Sequence, residues 1–226
     1  RMQGRAAADL KRLVTAALED ARLGYETAES YVTPRRLTLV IDGLPPAQPD
    51  VTEERKGPRV GAPEKAIEGF LRSAGLDSVE QCEVREIKGN EFYFAAIAKR
   101  GEAATAVLPG LILGAMDALS WPKSMRWGTG TRRWVRPLHQ ILAVFGDKLP
   151  DPSQAHVKLL LAADSDLPEH LLFRASTVGH RFMSPGEIDV SSFGDYRRKL
   201  RAARVMLDPA ERREVIRSGA GALATA

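Results

Sequence analysis

The stretch Glu83-Val84-Arg85-Glu86-Ile87-Lys88-Gly89-Asn90-Glu91-Phe92-Tyr93-Phe94-Ala95-Ala96-Ile97-Ala98 decides how this chain folds. It reads as two strands, Glu83 to Ile87 and Glu91 to Ala98, joined at Lys88-Gly89-Asn90, a strong hairpin signal. Phe92 and Phe94 alternate with Tyr93, as a half-buried strand requires. Strands joined so tightly run antiparallel, which points away from a doubly wound α/β sheet.

Working outward, Ala62-Pro63-Glu64 opens a short helix with proline at its first position. Ile67, Phe70, Leu71 and Ala74 form its buried stripe, and Gly75 is a good stop. Upstream, Arg55-Lys56-Gly57-Pro58-Arg59-Val60-Gly61 reads as an extended loop. There a phosphate could be held by side chains and helix N-terminal amides, or the loop could be a solvated connection. Residues Ser30 to Leu44 read as one strand, with Leu37, Leu39 and Ile41 on one face and Arg35 and Arg36 on opposite faces, so that one of the two arginines is expected to be a structural salt-bridge partner. From Gln3 to Leu23 the apolar residues Leu10, Leu13, Val14, Ala17, Leu18 and Ala21 follow a helical period.

Downstream, Ala103 to Leu119 reads as a buried helix that bends at Pro109. Its prolines, glycines and Asp117 make it too short and too interrupted for the roughly 20 apolar residues of a bilayer span. Leu138 to Phe145 reads as a central strand with His139 packed in the core, and Gly146 to Arg174 as one or two strands with loops. The C-terminal part turns helical, with Phe193, Tyr196, Leu200, Ala203 and Leu207 in one stripe. Asp208-Pro209-Ala210-Glu211 is a capping-box pattern for a last helix. The expected fold is α+β, mostly antiparallel strands with packed helices and a helical C-terminal part. Residues 1–190 are expected to form an α+β domain and residues 191–226 the start of a helical region.

The 226 residues carry a net charge of +4, which permits an RNA partner without demanding one. The single cysteine, Cys82, excludes a disulfide framework and suits a reducing, cytoplasmic setting. Residue 1 already lies inside a helical pattern and the chain stops inside another, so a piece of a longer polypeptide is expected. No Gly-rich phosphate loop, G-x-S-x-G or H-E-x-x-H occurs, and no histidine has an aspartate neighbour. No catalytic and no metal-binding residue is expected here.

The chemistry gathers instead in Trp121 to Pro137, which holds all three tryptophans and five basic residues without one acidic residue. Cations interleaved with aromatics suit RNA, since guanidinium and ammonium groups pair with phosphates and indoles can stack on bases. The same composition suits a loop anchored by its tryptophans with solvated arginines. Thr177-Val178-Gly179-His180-Arg181-Phe182 is a second place of interest, where glycine permits either a tight turn or close approach to a ligand.

Five pieces in order resemble one family, the β subunit of bacterial heterotetrameric glycyl-tRNA synthetase. They are Thr33-Pro34-Arg35-Arg36-Leu37, Arg55 through Pro63, Pro122-Lys123-Ser124-Met125-Arg126-Trp127, Arg133-Trp134-Val135-Arg136-Pro137-Leu138 and Gly179-His180-Arg181-Phe182. The resemblance covers most of the chain and corresponds to the N-terminal part of that subunit. It implies an α₂β₂ enzyme that makes glycyl-tRNA, with ATP and Mg2+ used in the α subunit and none bound here. It also implies as partners the α subunit, tRNA(Gly) and a second β subunit, with no membrane. On that footing Lys123, Arg126, Arg133 and Arg136 are expected to contact tRNA phosphates, with Arg55, Lys56 and Arg59 next and His180 and Arg181 after them. Trp121, Trp127 and Trp134 are assigned to packing. The alternative is a purely structural subunit-interface module with no direct RNA contact.

Overall fold

The computed structural model describes residues 2–128, 130–146, 157–158 (backbone only) and 173–225. The fold is α+β, and its backbone groups into two units, residues 1–47 with 103–226 and the inserted residues 48–102.

The inserted unit is built on the hairpin. Strands β4 (Glu83–Ile87) and β5 (Asn90–Lys99) are joined by the two residues Lys88 and Gly89, both at positive φ, 51° and 75°. That conformation matches the twist of the strands it connects. The third strand, β3 (Val51–Arg59), pairs with the far edge of β5, giving the antiparallel order β3-β5-β4. The segment expected as an extended loop, phosphate-holding or merely solvated, is therefore strand through Arg59, with a register shift between Lys56 and Arg59. Helix α2 (Glu64–Ala74) covers one face of the sheet; it starts one residue later than expected, with Pro63 at the cap, and ends at Gly75 with φ 68°. Phe70 and Ala74 pack on Ala95, Tyr93 and Ile97, so Phe92 and Phe94 lie on the opposite face. Gly57 is explained by this packing: a Cβ there would meet the Phe70 ring at 2.6 Å.

In the other unit, α1 (Met2–Asp20) buries Val14 and Leu18 against α3 (Ala104–Ala118). Leu18 and Leu23 are fully buried, each contributing about 1.5–3 kcal/mol by transfer from water. Helix α3 continues through the buried Pro109, which lacks one helix donor. Ser30 to Leu44 is not one strand. It is a hairpin of β1 (Thr27–Thr33) and β2 (Arg36–Asp42), turned at Pro34-Arg35. Leu39 and Ile41 still face the α1/α3 core, as the alternation required.

The expected central strand at Leu138–Phe145 is two short ones, β6 (Ile141–Leu142) and β7 (Val144–Phe145), in different sheets. Strand β7 pairs with β8 (Val157–Lys158), and β6 pairs with β9 (Phe173–Arg174) in the one parallel ladder among the described residues. His139 is exposed, not packed; only the partly buried residues after it, Ile141 and Ala143, reach the core. The rest of the expected strand-and-loop segment between 147 and 172 lies outside the described residues.

Strands β10 (Ser176–Val178) and β11 (Glu187–Asp189) form a hairpin leading into α4 (Phe193–Ala202) and α5 (Pro209–Ala224). Tyr196, Leu200 and Leu207 form their own cluster with Tyr31 and Phe193 against it. Asp208 caps α5 through Ala210 N at 2.7 Å. Glu211 does not complete the box; it pairs with Arg201 at 2.8 Å and Arg197 at 3.6 Å. Among the described residues no helix is long and apolar enough to cross a membrane.

Candidate nucleic-acid interface

After α3 the chain makes a loop that folds back on itself. Met125 and Trp134 exchange both backbone hydrogen bonds, 2.8 and 3.0 Å. Arg133 braces the closure from within: its Nε donates to Ser124 Oγ at 2.9 Å and its Nη2 to the Ser124 carbonyl at 3.1 Å. Arg132 ties the loop to α3 through an ion pair with Asp117 at 2.7 Å. Trp121 and Trp134 meet edge to face with centroids 4.9 Å apart, a favoured aromatic geometry. All three tryptophans are half-buried. A cleft of about 460 Å³ opens here, lined by Asp117, Trp121, Ser124, Arg132 and Arg133 among others. Trp121 Nε1 and Arg132 Nε are buried beside it without an acceptor among the described residues.

This construction leaves Lys123, Arg126 and Arg136 on the surface. Among the described residues none has a carboxylate partner; Arg136 donates only to its neighbour's carbonyl, Val135, at 2.8 Å. Arg133 too is bonded, among the described residues, to uncharged oxygens alone. The dense basic run on α4 is the opposite case. Asp195 takes Arg198 at 2.6 Å and Lys199 at 2.8 Å, and Glu211 takes Arg197 and Arg201. Those hydrogen bonds, Lys199's first, hold the Asp195 carboxyl down at about 2. Charge that is already neutralised offers little to a phosphate; on the loop only Arg132 is so neutralised among the described residues.

The other expected contacts lie elsewhere. Arg55 points to the helix face of the inserted sheet and donates to the Ser73 carbonyl at 3.0 Å, serving the end of α2. Lys56 is on the opposite face, its Nζ 3.7 Å from the centroid of the Phe92 ring. Arg59, across from Phe92, is exposed. Arg85 on the same face is taken by Glu54 and Glu83 at 2.6 and 2.5 Å.

His180 and Arg181 sit in a tight turn between β10 and β11. His180 N donates to the Ala203 carbonyl at 2.9 Å, and its own carbonyl accepts from Ser184 N at 2.9 Å. Its Nδ1 accepts from the amides of Phe182 and Met183 at 3.3 and 3.2 Å. Gly179 admits no side chain, since a Cβ would lie 2.6 Å from Ala203 Cβ and 2.7 Å from the Ser184 oxygen.

The sequence left open which of Arg35 and Arg36 is structural, and did not mark Phe182. Arg36 donates through Nη2 to the carbonyls of Val178 and Gly179, the latter at 3.2 Å. It is the structural arginine of its pair, held by carbonyls and not by a salt bridge, while Arg35 is exposed in the turn. Phe182 was seen only as a motif letter, and its exposure carried no local signal.

Among the described residues no group of three His, Cys, Asp or Glu lies close enough to hold a metal ion, and no phosphate loop occurs in the sequence.

The fold and loop together define a class, a basic α+β chain with a braced loop that holds four cations without a carboxylate partner among the described residues. Comparison with known proteins narrows it. The profile of the glycyl-tRNA synthetase beta subunit matches residues 1–226. A glycine–tRNA ligase beta subunit of Rhodospirillum centenum is 48% identical over 237 residues, covering 100% of this chain and 33% of the relative. Its counterpart in Paracoccus denitrificans is 50% identical over 226 residues, covering 100% of this chain and 31% of the relative. That of Dinoroseobacter shibae is 47% identical over 216 residues, 96% of this chain and 28% of the relative. The chain belongs to the glycyl-tRNA synthetase beta subunit family and spans about a third of the length of these relatives.

Proposed function

We propose that this chain is the N-terminal, non-catalytic part of the beta subunit of a heterotetrameric glycine–tRNA ligase, and that it contacts tRNA(Gly) through the Trp121–Pro137 loop. Residues 1–190 form its N-terminal α+β domain, with residues 48–102 inserted in it, and residues 191–226 lead into a helical region. ATP, Mg2+ and glycine are handled by the alpha subunit of the cytoplasmic α₂β₂ enzyme, in which a second beta chain is also present.

One observation carries the reading: Lys123, Arg126, Arg133 and Arg136 share one braced loop and have no carboxylate partner among the described residues. Four cations kept free while those of α4 are paired are suited to backbone phosphates, which position an RNA by charge. Lys56, Arg59, His180 and Arg181 are secondary contacts in this reading. Arg55, occupied with the end of α2, is the weakest of the set.

The rival is a subunit interface in which the same cations meet a partner's carboxylates. Charge reversal of Lys123 and Arg126 in the assembled enzyme separates the two. The RNA reading expects weaker tRNA(Gly) binding with the tetramer intact. A dissociated tetramer with tRNA affinity retained would establish the rival.

A further inference from the structure

Phe182 is 80% exposed and Met183 66% exposed, a large apolar pair at the tip of a turn. Flexibility does not account for this. The turn is fixed by His180 at four hydrogen bonds, two on its backbone and two on Nδ1, by Gly179 wedged against Ala203 and Ser184, and by Arg36 on the carbonyls of Val178 and Gly179. A phenyl ring kept in water on so well-built a support is a costly arrangement for a chain acting alone.

The surroundings say what the ring suits. The Arg181 guanidinium lies over it at 5.4 Å from the centroid. Ala203, which holds His180, is followed by Arg204, exposed and at φ 63°. Arg35, beside the Arg36 that holds the turn, is exposed as well. None of Arg181, Arg204 or Arg35 has a carboxylate partner among the described residues, and no acidic residue occurs from Val178 to Gly186. An exposed aromatic face beside guanidiniums that no carboxylate of the described residues takes complements a flat base attached to a phosphate backbone. The exposed apolar surface here is small, Phe182 and Met183 with Val178 at 43%, and the cation printed against the ring, Arg181, suits a base and its phosphate better than an apolar protein pocket.

We propose that Phe182 is a stacking platform for an unpaired or terminal base of tRNA, with Arg181 and Arg204 taking the adjoining phosphates. This rests on the reading that the chain contacts tRNA, but on a surface separate from the Trp121–Pro137 loop.

The test uses the assembled synthetase and a tRNA(Gly) transcript. Phe182→Leu keeps an apolar side chain but removes the ring; Phe182→Trp keeps a ring. Stacking of one base predicts about a fivefold or greater loss of affinity in Phe182→Leu, retention in Phe182→Trp, and an unchanged salt slope in both. A photo-crosslinking benzoylphenylalanine at position 182 reads out the occupant directly. A crosslink to tRNA supports the proposal. A crosslink to protein, or equal affinity of Phe182→Leu and the unaltered enzyme, overturns it. The failure is distinct from that of the loop reading: if only the Lys123/Arg126 variants weaken binding, the loop stands and the platform falls; if only Phe182→Leu does, the reverse holds.

Discussion

The Arg36 guanidinium donates to the Gly179 carbonyl at 3.2 Å, linking a strand of the first hairpin to a turn 143 residues further along. The same Nη2 reaches the Val178 carbonyl. An arginine that serves two carbonyls is there to hold backbone, so the Pro34-Arg35-Arg36 motif and the Gly179-His180-Arg181-Phe182 motif form one structural device.

Arg36→Ala is expected to cost about 1.5–3 kcal/mol, the range for hydrogen bonds to a charged donor, and Arg36→Lys to recover only part of it because an ammonium is more strongly hydrated than a guanidinium. Denaturant unfolding gives the magnitude. Amide exchange at His180 and Ser184 gives the location, and unchanged protection there would contradict the link.

Gly57→Ala places a methyl against the Phe70 ring at 2.6 Å. Overpacking of this kind costs about 1–3 kcal/mol, and Phe70→Leu in the same chain is expected to return part of it, a non-additive pair. If Gly57→Ala left stability unchanged, the glycine would not be there for the ring.

The cause lay beyond the reach of local pattern. Lys88-Gly89-Asn90 announced its hairpin through Gly89, a residue that takes positive φ without strain, and the Leu37/Leu39/Ile41 alternation fixed which face of β2 meets α1. In Arg55–Gly61 the glycines and charges read as a loop, whereas Gly57 answers to a ring 13 residues away. Pro34-Arg35 carries no Gly or Asn, so the first hairpin read as one strand. His139 looked buried from its apolar neighbours, but two-residue strands in separate sheets do not impose a regular inside and outside. The basic loop was legible as a composition. Which of its cations are free was not, because Asp117 and Ser124 decide it through space.

The Asp195 carboxyl, bonded by Lys199, the Ser191 backbone and Arg198, titrates at about 2, below its ordinary 3.8. A depressed folded value means the stabilisation is present above pH 3.8 and is lost as pH falls towards 2. It amounts to about 1–2 kcal/mol, given partners that are partly exposed and screened. Asp195→Asn is expected to lower stability at neutral pH and flatten the unfolding profile between pH 4 and 2. An unaltered profile would show that the pair network on α4 is not stabilising.

The central claim is that the free cations of the Trp121–Pro137 loop lie on RNA phosphates, and the salt dependence of tRNA(Gly) binding by the assembled enzyme measures it most directly. Each phosphate contact contributes about 0.9 to the slope of log K against log salt on a duplex. Replacing Lys123, Arg126 and Arg136 with alanine leaves the Arg133–Ser124 brace in place, and the slope should become shallower by about two to three units. A slope equal to that of the unaltered enzyme, with the tetramer intact, would contradict the account.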